Sequence, residues 1–81
     1  MKEIKFQVEG VEGDFFVDAD ALKDYRTVKA FALADANPAG FYAAMDKIYM
    51  GKDEEYAERV GGIDHIADLN NAAAEAVNAK N

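Results

Sequence analysis

Apolar and polar positions alternate through residues 2–9, with Ile4, Phe6 and Val8 set between Lys5, Gln7 and Glu9. Period two is the signature of a strand buried on one face. Gly10 and Gly13 bracket a turn, and the aromatic run "DFFVD" supplies a return strand, so a hairpin closed by "GVEG" is predicted over residues 2–18. Such a hairpin is marginal alone in water and has to lean on helices. From Asp20 the spacing lengthens: Ala21, Tyr25, Val28, Ala32 and Ala36, widened by Leu22, Phe31 and Leu33, predict a helix over residues 20–36 with Asp18 or Asp20 as N-cap. Pro38 disfavours helical geometry at Asn37 but suits the first position of a new helix, predicted over 38–50, with Asn37 as cap and Gly51 as left-handed exit. The acidic run "KDEEYAERV" predicts a short helix over 53–60 ended by Gly61 and Gly62. A last helix over 64–78 carries Ile66, Leu69 or Asn70, Ala73 and Val77 on one side. The expected fold is α+β: a single domain in which an N-terminal two-stranded β-hairpin packs on a bundle of three to four short α-helices. Its expected core is Ile4, Phe6, Val8, Phe16, Tyr25, Val28, Phe31, Phe41, Met45, Ile48, Tyr56, Ile66 and Val77.

The stretch "NPAGFYAAMDKIYMG" is apolar beyond what one helix face needs. Projected at about 100° per residue, Phe41, Ala44, Met45 and Ile48 form one stripe, which is core. Tyr42 and Tyr49, seven residues apart, fall on its shoulder, and Ala43 and Met50 point further out. One reading has the tail helix or hairpin covering that shoulder, leaving the tyrosine hydroxyls wet. The other makes Phe41, Tyr42, Tyr49 and Met50 a partner-binding surface, because Tyr and Met are favoured at interface centres.

Charge and chemistry narrow the function. Sixteen acidic against nine basic residues give a net charge of −7, which repels nucleic-acid phosphates and anionic membrane. Without cysteine there is no disulfide framework and no thiolate metal site, so apolar burial alone stabilises a small core. Without serine there is no serine hydrolase and no phosphopantetheine attachment site, which excludes an acyl carrier protein. His65 has no cysteine companion and reads as a surface helix histidine. The segment "DADALKDYRTVK" places acids at the first, third and seventh positions of a calcium loop, but Leu22, Lys23 and Lys29 occupy the fifth, the sharp-turn and the bidentate positions. No glycine-rich phosphate cradle is present, and "KDEEYAE" reads as a solvated helix face. No catalytic residue, cofactor or metal is expected, and the N-terminal "MKEIKFQVEG" resembles neither a signal-peptide core nor a membrane span.

The order of signals, "IKFQVEG…GDFFVD", then "DY" at Asp24 and Tyr25, a helix ending at "ANP", an apolar helix closing in "YMG", the acidic "KDEEY" and a final amphipathic helix, resembles the small tail assembly chaperones of long-tailed bacteriophages and prophages. The likeness runs over nearly the whole chain. It implies a non-enzymatic protein of the host bacterial cytoplasm that coats the tape measure protein during tail assembly and is shed before the virion is complete. It also implies self-association along that client. A longer frameshifted form of the chain is a further implied partner, since "AKN" at residues 79–81 fits a slippery A-AAA-AAC. Helix-in-groove contacts by Phe41, Tyr42, Tyr49 and Met50 are the expected mode, multiplied along a long client. The alternatives are an acidic DNA-mimic inhibitor, against which the interspersed bases of "KDEEYAERV" argue, and another small protein-binding module of unrelated type.

Overall fold

The computed structural model describes residues 1–79. Two antiparallel strands, β1 (Glu3–Phe6) and β2 (Phe15–Asp18), are followed by α1 (Ala19–Lys23), α2 (Tyr25–Ala32), α3 (Pro38–Ile48), α4 (Asp53–Val60), a 3₁₀ turn at Ile63–His65 and α5 (Ile66–Ala79). The architecture is α+β, as the patterning predicts. The last two residues of the "AKN" end, on which the slippery-sequence reading falls, lie outside the described residues.

Strand register decides which side chains meet the helices. Ile4 pairs with Val17 and Phe6 with Phe15, so these four share the buried face. Phe16, expected in the core, pairs with Lys5 on the other face and is only half-buried. Its N–H instead donates to the Tyr56 hydroxyl at 3.0 Å, fastening β2 to α4. The connection runs from Gln7 to Asp14, longer than "GVEG", because Val8 turns inward and Val11 N–H closes a turn on Val8 O. Arg59 of α4 seals this loop from below. Its guanidinium donates to the Glu12 and Asp14 carbonyls at 3.1 and 3.0 Å and lies 3.8 Å from the centroid of the Phe15 ring. A Cβ at Gly13 would stand 2.6 Å from Arg59 Nη2, and its φ of +95° is one that L side chains rarely adopt.

The helix expected over residues 20–36 is two helices. Asp24 is extended, with ψ 134°, ending α1 while its carboxylate accepts from Arg26 N and starts α2. Asp18 caps α1, and Asn37 caps α3 through Gly40 N with Pro38 in the first turn. The exit from α3 uses two left-handed residues, Met50 at φ 56° and the expected Gly51 at φ 83°.

The core lies where the hairpin meets the C-terminal half of α3, α4 and α5. Leu69, Ala73 and Val77 of α5 are buried with Phe15, Val17, Tyr49, Tyr56 and Val60. Besides Phe16, two more expected core residues are outside it. Tyr25 is 75% and Val28 55% exposed, because α2 turns Thr27 rather than its apolar stripe toward the rest of the molecule. Phe31 and Phe41 are half-buried.

Candidate functional site

Tyr42 and Tyr49 share one direction on α3, but their surroundings differ. Tyr42 lies in the N-terminal half, at the edge of a groove toward α4 rather than under it, and remains 47% exposed. Tyr49 lies where the hairpin, α4 and α5 converge: its ring is 6.5 Å from Phe6 and 5.4 Å from Tyr56, and it is fully buried. Its hydroxyl donates to Asn70 Oδ1 at 2.6 Å, and burial, reinforced by the neighbouring Tyr56 hydroxyl, pushes its ionisation well above the usual tyrosine range. Tyr49 is therefore a core residue and not part of a docking surface. Met50 is half-buried in the left-handed exit of the helix.

Phe41 and Tyr42 form a ridge with a residue of α2. Phe31 lies 5.2 Å from Phe41, and Phe41 lies 5.1 Å from Tyr42, centroid to centroid. Each end of this ridge opens into a groove. Beyond Phe31 is one of about 420 Å³, lined by Leu22, Lys23, Val28, Phe31, Ala74, Val77 and Asn78. Beyond Tyr42 is one of about 190 Å³, lined by Tyr42, Met45, Asp53, Glu54, Ala57, Ile63 and Ile66. Ridge and grooves make a continuous apolar band beside α5. Ile66 and Val77, eleven residues apart on α5, mark its ends, about 16 Å from one another at 1.5 Å per residue.

The band includes residues that sequence patterning placed elsewhere. Val28 and Leu22 carried the spacing of a buried stripe, and Ile63, now 65% exposed, stood between "GG" and the helix start. An isolated isoleucine in a short link between helices was the available signal. A further depression of about 660 Å³ between the hairpin loop and α5 is polar, lined by Gln7, Glu9, Asp68, Asn71 and Glu75 among others. It has the character of a solvated cleft.

The two ends of the band differ in charge. At the Tyr42 end, Asp53 and Glu54 form the rim, and the Asp53 carboxyl is raised above its ordinary range by burial and by repulsion from Asp46. At the Phe31 end the rim carries Lys23, the last residue of α1, and α2 carries Lys29 in its last turn. Asp24, outside the band, is held below the ordinary carboxylate range by its hydrogen bond from the Arg26 side chain. His65 makes a surface contact of 3.3 Å with Asp68. No helix among the described residues is long and apolar enough to cross a membrane. No family model, curated protein or solved structure matches the chain.

Proposed function

We propose that this chain is a non-enzymatic assembly chaperone that holds an apolar helical client in solution, the client being a phage tape measure protein, with several copies bound along it. The band from exposed Val28 through half-buried Phe31 and Phe41 to exposed Tyr42 and Ile63 carries this reading. A small protein with a core still available elsewhere leaves large apolar side chains side by side on its surface where they serve a partner. A band of about 16 Å matches about three turns of an α-helix, the length over which a client helix presents one apolar stripe. A net charge of −7 keeps the coated client from aggregating. The contact is small, so each copy binds weakly and is released readily, while many copies along one client supply the avidity. The identity of the client follows the resemblance in the order of sequence signals; the mode of binding follows the band.

Co-expression with a tape measure protein and capture through a tag on this chain tests the reading. The wild type is expected to retain the client, and Phe41→Ser with Tyr42→Ser to lose it while keeping its circular dichroism spectrum. A wild type that captures no tape measure protein removes the client assignment. Retention by the folded double variant removes the band as the binding surface.

A further inference from the structure

The two grooves at the ends of the band differ in size and in charge. The groove beyond Tyr42, of about 190 Å³, falls below the roughly 300 Å³ at which small-molecule pockets begin and suits a single side chain. Its lining combines three kinds of surface: Met45, Ala57 and Ile66 are apolar wall, Asp53 and Glu54 bring carboxylates, and the exposed Tyr42 brings an aromatic ring. Neither carboxylate is ion-paired among the described residues. A long cationic side chain meets all three, its methylene stem on the apolar wall and its head against the carboxylates and the ring. A leucine there leaves both acids unpaired, and a glutamate faces two like charges. The Asp53 carboxyl is raised by burial and by repulsion from Asp46, and an incoming cation offsets both. The groove beyond Phe31 has the opposite sign: Lys23 is the charged side chain among the described residues that line it.

We infer that the client helix is selected by charge as well as by its apolar stripe: a lysine or arginine of the client seats in the Tyr42 groove against Asp53 and Glu54, and a carboxylate about three turns away on the same face meets Lys23. The inference rests on the band being a helix-binding surface and adds to it the chemistry of the segment bound. Ile66 and Val77, about 16 Å apart along α5, set the spacing between the two charges at about eleven residues of a client helix. The order of the charges then sets the direction of docking. A client with its base at the N-terminal end of the stripe runs parallel to α5, and one with its base at the C-terminal end runs antiparallel.

Fluorescence anisotropy with labelled alanine-based peptides of about 18 residues, all carrying the same leucine stripe, separates the charge from the band. One peptide has Lys and Glu about eleven residues apart at the ends of the stripe, a second has Gln at both places and a third has Glu at both. The Lys/Glu peptide is expected to bind about threefold or more tighter than the Gln/Gln peptide, and the Glu/Glu peptide more weakly than either. The preference is expected to fade in about 1 M salt, where the screening length is about 3 Å. Glu54→Lys should abolish it. Glu55→Lys, the same change of net charge at the next exposed position of α4 but outside the groove lining, should keep it. Equal binding of all three peptides that is lost in Phe41→Ser with Tyr42→Ser overturns the inference and leaves the band reading standing. Equal loss of preference in Glu54→Lys and Glu55→Lys also overturns it, because net charge is then the cause. If none of the peptides binds at about 1 mM, the band reading falls and the inference with it. Failure to capture a tape measure protein, with the peptide preference intact, removes only the name of the client.

Discussion

Tyr49 concentrates several demands on one side chain. It fills the junction of hairpin, α4 and α5, touches the rings of Phe6 and Tyr56, and satisfies its hydroxyl with Asn70 at 2.6 Å. A buried phenol stays protonated in the folded chain at a pH where the unfolded chain ionises it, so its stabilising contribution is complete below about pH 10 and falls as pH rises past that point. The expected slope is about 1.4 kcal/mol per pH unit above pH 10. Urea unfolding at about pH 9 to 11 checks this: the wild type should lose stability faster than Tyr49→Phe, and parallel curves would mean that the phenol is not held neutral. At neutral pH, Tyr49→Phe should cost about 1 kcal/mol for the hydrogen bond to Asn70. Tyr42, on the same side of α3, should tolerate Ser within about 0.5 kcal/mol, because it is a surface residue whose loss leaves no cavity.

At the level of elements, the hairpin is held to the helices by few but specific ties, chiefly Tyr56 to Phe16 N–H and Arg59 to the loop. Arg59→Ala removes two hydrogen bonds to carbonyls and the contact with the Phe15 ring, an expected loss of about 2 kcal/mol. Thermal unfolding with hydrogen exchange checks it: amides of residues 7–14 should lose protection before those of α5, and uniform loss would count against a local role for Arg59. Asp24→Ala removes the cap of α2 and should cost about 1 kcal/mol. These features also show what the sequence made legible. Alternation in residues 2–9, Pro38 with Asn37 before it, and Gly51 and Gly61 are local signals, and each corresponds to a strand, cap or exit in the fold. The break at Asp24 was not read from the sequence, since an aspartate ahead of "YRTV" sits within a helix as readily as it caps one and the spacing on both sides of it is helical. Coverage was not legible. Helical periodicity fixes the direction of Tyr42, Tyr49 and Val28 around an axis, but whether another element lies there depends on contacts between residues far apart in the chain, such as Tyr49 with Asn70 or Arg59 with Glu12.

Taken whole, the molecule sets an uncovered apolar band against a large negative charge, and the two act over different distances. With extents of 32 × 29 × 18 Å, touching copies keep their centres two or more screening lengths apart at physiological salt, where that length is about 8 Å. Net repulsion is thus largely screened between bodies that are not in contact, and acts chiefly at close approach. At closer approach the like charges of two copies still repel, and this opposes indiscriminate collapse onto the exposed apolar residues. Acid removes that restraint. As carboxylates protonate toward the isoelectric point near pH 4.5, the net charge vanishes while Tyr42, Val28 and Ile63 remain exposed. The Asp53 carboxyl, already raised by burial and by Asp46, is expected to be among the early carboxyls to gain its proton, which removes charge from the rim of the Tyr42 groove. Light scattering of the purified chain should therefore be low at pH 7 and climb steeply toward pH 4.5. Val28→Ser with Ile63→Ser, which changes no charge, should flatten that climb. An equally steep rise in this variant would mean that the band is not what the charge holds apart.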